Sequence, residues 1–445
     1  MTRFLRFLLL GAVLCTVPAC DLSFDNPNAA GESEVLSTPD GLRALAVGMR
    51  RTYAVTTYNA VVRTSGLTAR EFAVVVGFTN PQEIELGGDV LPPENGILGT
   101  LWSSNYRVMD MAEQLIANVE VFSDPATQAS FRAYGHLFKA MALGNLAQFY
   151  EQYPISIDPD GDATFESRER GLQEAVSLLE AALGVLSGQT VPTSFQRSVL
   201  GTDDFDLVQT LNAYLARYQN MLGNQAEAIS AAQAALADPS AVSVFVYEAG
   251  NGNENPLFLQ TTEEPATLRP LDNFGFDPAE FVVPFEDGRL AFYLESRDEI
   301  GESSRLPVET MRGFYDTIDE PIPLYLPGEM LLIQAEAQAR QGNLGAAVDL
   351  LNQVRTKTDD PFGVNAGLSA YDGAQTPEAV LEDIYRNRRV ELFLTGLSLE
   401  DSRRFARPAP PSPPSFDSFN RNRNFYPYPE EERDNNPNVP ADPAG

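Results

Sequence analysis

The densest run of chemistry-bearing side chains is Asp158-Pro159-Asp160-Gly161-Asp162-Ala163-Thr164-Phe165-Glu166-Ser167-Arg168-Glu169. Its carboxylates fall at positions 1, 3, 5, 9 and 12 of a twelve-residue frame, with the apolar Phe165 at position 8. That spacing resembles an EF-hand calcium loop, in which a hard cation collects about six to eight oxygens and the last carboxylate closes the shell. Asp158, Asp160, Asp162, Glu166 and Glu169 are therefore candidate ligands of a structural calcium ion that pins a loop and activates no nucleophile. Two positions depart from the pattern. Ala163 stands where the sharp turn wants glycine, and Pro159 restricts the backbone of Asp158. The competing reading is an acidic turn. In it Glu166, Ser167 and Glu169 start the next helix, where negative charge meets the helix dipole.

Other catalytic sets are missing. His136 is the sole histidine, and Cys15 and Cys20 are the sole cysteines. Multi-histidine metal sites and Cys–His nucleophiles are thereby excluded. His136 lies in a helical stretch and reads as packing or facing solvent. No P-loop, GxGxxG or GxSxG is present. With 62 acidic residues, chance carboxylate pairs are unavoidable, so a carboxylate glycosidase stays open on composition. A formal charge of −31 repels phosphate backbones and argues against nucleic-acid binding. Nothing requires a cofactor.

Aromatic side chains in long loops are the better candidates for ligand contact: Phe258, Phe274, Phe276, Phe292, Tyr293 and Tyr315. A flat ring covers the apolar face of a pyranose, and tyrosine adds a polar tip. Trp102, at a helix start, reads as core instead.

The N-terminus fixes the compartment. Arg3 and Arg6 precede an apolar stretch from Phe7 to Val17, too short for a span of about 20 residues. It ends in Val17-Pro18-Ala19-Cys20, and a small residue before a cysteine resembles the bacterial lipoprotein signal. Residues 1–19 thus read as a signal peptide and Cys20 as the acylated lipid anchor. Cys15 follows Leu14, too bulky for the cleavage pocket, and leaves with the signal. Several acyl chains anchor stably, each buried CH₂ adding about 0.8 kcal/mol. Residues 20–38 hold few core residues and read as a tether. Asp21 and Asp25 make an acidic start, which marks surface export in some bacteria and inner-membrane retention in others.

The elements that must position these residues are helical. Gly223-Asn224 opens a run with Ala228, Ala231, Ala232 and Ala235, and Gly342-Asn343 opens one with Ala347, Leu350, Leu351 and Val354, at a constant offset of 119. Spacing i, i+3, i+4, i+7 is one helix face, and each glycine suits a left-handed C-cap of the preceding helix. Ala216 and Ala335 both stand seven residues before their glycine. Helix, Gly-Asn turn and helix with small residues at the crossing is a tetratricopeptide pattern. Ala175, Leu178, Leu179 and Ala182 give a third copy, its first helix expected over Phe131–Phe149. The expected fold is a mostly α, tetratricopeptide-like helical-repeat scaffold, one domain from 39 to 445. Long irregular insertions are expected at about 50–100, 240–325 and 406–425, and loops this long are usually functional.

These features resemble the SusD/RagB family of nutrient-uptake outer-membrane lipoproteins. Asp25-Asn26-Pro27-Asn28 is similar to its tether end, and Trp102, Tyr106 and Asn118 to its Trp-x₃-Tyr helix. Tyr150 and Pro154 match an aromatic–Pro helix exit. Leu331 to Ala337, through Gly342 to Leu351-Asn352-Gln353-Val354-Arg355, resembles the most recognisable helical pair. Arg388-Arg389-Val390-Glu391-Leu392 with Gly396, Asp401 and Arg404 resembles the C-terminal helix. Pro427-Tyr428-Pro429, Glu432 and Asn436-Pro437 resemble the closing motif. Asn387 and Thr395 stand where Glu is usual, Ser398 where Arg is usual, and Ser402 where Leu is usual. The resemblance implies no enzyme. It implies a lipid-anchored lid, facing the cell exterior, that captures an oligosaccharide or peptide for a SusC-like TonB-dependent barrel. The arginine pairs 388–389 and 403–404 are expected to pair with acids of neighbouring helices. A tetratricopeptide scaffold for envelope proteins is the alternative, disfavoured by insertions that a scaffold does not need.

Overall fold

The computed structural model of the chain describes residues 36–158, 160–250, 252–296 and 306–444. Cys20, the tether over 20–35 and Pro159 lie outside the described residues. The helices begin where Thr38 accepts the Gly41 N–H at 3.1 Å and Pro39 takes the first helical position. From there α1 (Pro39–Arg51) runs through one π-helical stretch, Thr52–Thr57, into α2 (Tyr58–Thr68). There follow α3 (Thr79–Leu86), α4 (Gly96–Ala117), α5 (Pro125–Phe149), α6 (Arg168–Leu186), α7 (Leu207–Leu222) and α8 (Gln225–Ala235). After two short helices, α9 (Phe258–Thr261) and α10 (Gly288–Tyr293), come α11 (Pro327–Arg340), α12 (Leu344–Arg355), α13 (Pro377–Glu391), α14 (Ser398–Arg404) and α15 (Glu430–Asn435). Sequence neighbours stack antiparallel in a row from α4 through α8, α8 meets α11, and α13 packs on α11 and α12.

The repeat read from the sequence is present in detail. Gly223 and Gly342 are left-handed at φ +79° and +82°. Behind them the amides of Asn224 and Asn343 each donate, at 2.9 Å, to a carbonyl five residues back, those of Gln219 and Gln338. Ala228, Ala231, Ala232 and Ala235 are all buried, as are Ala347, Leu351 and Val354. In the third copy Ala175, Leu179 and Ala182 are buried. Its first helix starts at Pro125 and not near Phe131, because Asp124 caps it, accepting the Thr127 N–H at 2.8 Å.

The first insertion is shorter than expected. Residues 53–68 are helical, and only 69–95 interrupt the scaffold, with α3 inside that stretch. Tyr53, Ala54, Tyr58, Ala60, Val61, Val62 and Leu67 are buried around the helix circumference, so no amphipathic period marks the element. Among the described residues the loops form four two-stranded antiparallel ribbons: β1 (Phe72–Val74) with β5 (Leu268–Pro270), β2 (Gln152–Tyr153) with β3 (Glu166–Ser167), β4 (Val244–Phe245) with β8 (Ile322–Pro323), and β6 (Leu294–Glu295) with β7 (Thr310–Met311).

Buried charge ties the last helices to the scaffold. Arg388 pairs with Asp401 at 2.8 Å, Arg403 with Glu400 at 2.6 Å, and Arg404 with Glu336 and Asp401. Arg389 departs from the expected pairing. It donates to the carbonyls of Ala69 at 2.7 Å and Phe274 at 2.8 Å, where two chain reversals point their oxygens inward. The unusual family positions are structural: Asn387 accepts from Arg289 at 3.0 Å, and Ser398 donates to Glu71 at 2.7 Å.

Candidate functional site

Nine of the eleven residues of α2 are buried, and the two exceptions are Asn59 and Arg63, one turn apart on the same face. Beyond Thr68 the chain turns through Arg70 at φ +64°. Glu71 is locked inside: it accepts the Ser398 hydroxyl at 2.7 Å and the Leu394 amide at 3.3 Å, while burial pushes its carboxyl pKa up. Held there, β1 aligns with β5, and the Val75 amide donates to the Thr267 carbonyl at 3.0 Å. The Thr267 amide in turn donates to the Gln260 carbonyl at 2.9 Å, placing α9 beside the strand.

On the other lip a tight turn, with the Phe78 amide donating to the Val76 carbonyl at 2.7 Å, launches α3. Asn95 fixes this lip to the scaffold. Its amide donates to the Asn80 carbonyl at 2.9 Å and to Glu83 at 2.8 Å, while its oxygen caps α4. Between the lips lies a cleft of about 530 Å³, lined by Arg63, the Phe78–Pro81 turn, Ile97, Gln260 and Thr267. The Phe78 side chain is 57% exposed. The lining combines a flat ring, two amides, hydroxyls and one guanidinium, a set suited to a ligand with apolar faces and hydroxyl edges. Among the described residues no carboxylate, imidazole or thiol lines the cleft.

A larger opening, about 680 Å³, lies beside Phe292, Arg312 and Glu320. Its cation is already satisfied: Arg312 pairs with Glu295 at 2.7 Å and Asp316 at 3.0 Å. Arg63, by contrast, has no hydrogen-bond or ion-pair partner among the described residues, and its buried Nε is unpartnered.

Four of the six aromatics singled out from the sequence are buried in the core. Tyr293 donates to the Glu391 carbonyl at 3.0 Å and Tyr315 to the Leu394 carbonyl at 2.7 Å. Phe274 meets Phe393 edge-on at 4.7 Å, and Phe276 meets Phe281 at 5.0 Å. Phe274, Tyr293 and Tyr315 build a second hydrophobic layer against α13 and the segment after it, while Phe276 lines a small cavity of about 200 Å³ with Tyr385, Arg389 and Arg407. Phe292 is half-buried, edge-on to Tyr293 at 4.8 Å. Phe258, also half-buried, opens the helix that carries Gln260. The cleft residues Arg63, Phe78, Asn80 and Gln260 escaped sequence reasoning. The available signal was the polar pair Asn59 and Arg63 inside an otherwise apolar helical run.

The residues of the calcium frame are spread over a turn, a strand and a helix start. Among the described residues no three Asp, Glu, His or Cys side chains meet in a group able to hold a metal. Asp158 accepts the Asp160 amide at 2.8 Å, Glu166 pairs in β3 with β2, and Glu169 accepts from Gln173 at 3.3 Å within α6. Ser167 caps α6 through the Arg170 amide at 3.2 Å, as the acidic-turn reading has it. Asn436 and Asn438 pin the loop instead, donating to the carbonyls of Ala163 at 3.0 Å and Asp162 at 2.6 Å.

Trp102 is core, 5% exposed, among Tyr106, Tyr150, Phe165 and Tyr428. His136 is half-buried. Burial, with Arg132 and Lys139 nearby, pulls its pKa down to about 4. No described helix is long and apolar enough to cross a membrane.

Residues 315–438 match the model of the SusD family. The fold is shared with a SusD superfamily protein from Bacteroides thetaiotaomicron at TM-score 0.70 and 16% identity, covering 91% of this chain and 100% of that one. A SusD-like carbohydrate-binding protein from Bacteroides fragilis follows at TM-score 0.69 and 14% identity, covering 91% and 100%. A SusD superfamily protein from Bacteroides vulgatus matches at TM-score 0.67 and 16% identity, covering 91% and 98%. No curated protein matches the sequence.

Proposed function

We propose that this SusD-family chain is a lipid-anchored binding protein of the bacterial outer membrane. In this reading it holds an oligosaccharide or peptide in the cleft between Arg63 and Phe78 and passes it to a partner TonB-dependent barrel. The cleft carries the reading. An exposed ring offers a stacking face, and Asn80, Gln260 and Thr267 offer polar edges at fixed positions on both lips. The lips are inserted segments and not repeat helices, which favours capture of a small ligand over a scaffold that binds proteins along its helices. Glycoside hydrolysis commonly uses two carboxyl groups flanking the bond, and the described residues of the cleft lining supply none. The residues before Cys20 support attachment there, and the likeness to the SusD-like carbohydrate-binding protein of Bacteroides fragilis supports a carbohydrate as ligand.

The test is direct. The mature protein is titrated with a panel of oligosaccharides and peptides, and the mixture is then analysed for products. Binding that is weakened by Phe78→Ala, without product, is the expected outcome. Binding untouched by Phe78→Ala, or turnover of the bound compound, would overturn the reading. Isolation from membranes in mild detergent should bring down a TonB-dependent barrel, and Cys20→Ala should release the protein from the membrane.

A further inference from the structure

We propose that the ligand of this cleft is anionic, an acidic oligosaccharide whose carboxylate or sulfate group is held by the guanidinium of Arg63. The proposal rests on the cleft being the binding site and names the class of ligand it takes.

Half-buried charge is costly unless it is paired. The other deep arginines have acid or carbonyl partners, although single nitrogens of Arg70, Arg388 and Arg404 are also left without one. Arg217 lies against Glu329 at 2.7 Å, Arg289 against Asp287 at 2.7 Å, and Arg388 against Asp401 at 2.8 Å, while Arg389 is wrapped in carbonyls. Acids are twice as numerous as bases, 62 against 31, so a partner for one more guanidinium would be easy to supply. Arg63 has none among the described residues. Its Nε is buried and unsatisfied, and burial alone acts on its pKa, downward, with no acid opposing it. One turn earlier on the same helix face, the Asn59 side-chain oxygen is also buried without a partner. Whichever way that amide is turned, the atom in that buried position has no partner.

The surroundings point the same way. In a chain of formal charge −31, the cleft around Arg63 carries no carboxylate among the described residues. An anion entering it meets a planar fork of donors and no nearby repulsion. The larger opening differs in this respect, since Glu295 and Asp316 already occupy the Arg312 guanidinium. The protein's overall negative field opposes an anionic ligand at long range. Screening beyond about 8 Å at physiological salt leaves the short-range pair to decide binding.

The experiment is calorimetric titration of the mature protein with two acidic probes, tetragalacturonate and a sulfated galactan oligosaccharide, each against its uncharged parent. At least one acidic probe should bind about ten-fold more tightly than its parent, the worth of one charge-assisted contact. The probe that does so tells carboxylate from sulfate. Arg63→Gln should erase that preference, Arg63→Lys should retain part of it, and Phe78→Ala should weaken acidic and neutral probes alike. Arg63→Gln should melt no lower than the parent protein, since it removes an unpaired charge. Equal binding of acidic and neutral probes, or failure of both acidic probes to bind, overturns the proposal. So does a melting temperature that falls with Arg63→Gln. If Phe78→Ala weakens binding while Arg63→Gln leaves the preference intact, the cleft stands and the anion fails. If both variants bind as the parent does, the cleft itself is wrong.

Discussion

Trp102 donates its indole N–H to the carboxylate of Glu432 at 3.1 Å, across 330 residues of sequence. The contact closes the C-terminal segment over α4, with Tyr428 and Phe165 against the same ring. Glu432→Ala would strand a buried donor, a loss of about 1–3 kcal/mol, and Glu432→Gln, which keeps an acceptor, should lose less. Trp102 is the sole tryptophan, so its fluorescence reports the site directly. Urea unfolding followed at that signal should show the order wild type, Gln, Ala. Equal midpoints for all three would show that the bond contributes nothing.

The turn of the last repeat offers a paired test. Gly342 sits at φ +82°, where an L-residue is strained, and nothing crowds its would-be Cβ. Gly345 lies in the first turn of α12 in open space with no positive φ. Gly342→Ala should therefore destabilise by about 1–2 kcal/mol, and Gly345→Ala should stabilise by up to about 1 kcal/mol. Thermal melts of the two variants should move in opposite directions.

That contrast also shows why the repeat was legible and the site was not. Gly223 and Gly342 announce themselves because a helix C-cap demands glycine, and alanines at i, i+3, i+4, i+7 leave a periodic trace. Phe78 and Gln260 leave no such trace. Their meeting depends on the β1–β5 ribbon and on Asn95, long-range contacts that no local pattern encodes. The aromatics of the 240–325 insertion show a related limit. Tyr293 closes the short helix α10 and Tyr315 a single 3-10 turn within a stretch whose sequence reads as loop, yet α13 and the segment after it lie over them, and a loop-like sequence by itself says nothing about burial.

Gly328 makes room for Glu391. A Cβ on Gly328 would lie 1.9 Å from the Glu391 Oε1, and that buried carboxylate accepts from Arg289 at 3.2 Å and Lys357 at 2.5 Å. Gly328→Ala should push the carboxylate away and weaken both ion pairs at once, a loss of about 3–5 kcal/mol. Glu391→Gln should cost a similar amount through the same two cations. A combined variant should cost much less than the sum, which a double-mutant cycle in urea would measure.

His136 should make the fold acid-sensitive. Its pKa falls from 6.5 to about 4 because burial disfavours the charged ring, with Arg132 and Lys139 adding repulsion. Between those values the unfolded chain takes up a proton that the folded chain refuses. Stability from this residue is thus complete above pH 6.5 and is lost as pH drops toward 4. His136→Gln should remove that part of the pH dependence, about 1–2 kcal/mol after allowance for partial exposure. Melting temperatures of the two proteins should converge on acidification if the variant starts lower, and a constant gap from pH 7.5 to 4 would contradict the assignment.

The loop from Asp158 to Glu169 should answer to asparagine and not to calcium. Its carboxylates are dispersed among an Asx turn, a strand and the first turn of α6, while Asn436 holds the Ala163 carbonyl at 3.0 Å. Asn436 is itself buried, and it also donates to Glu432 at 2.9 Å, so the loop is coupled to the partner of Trp102. Asn436→Ala should leave that carbonyl without its donor and lower stability by about 1–2 kcal/mol. Tryptophan emission should shift as well, because Glu432 loses a bond that orients it. Millimolar calcium should leave the melting temperatures of wild type and Asp160→Ala where chelator leaves them. A rise with calcium that Asp160→Ala abolishes would mean that the acids gather around an ion after all.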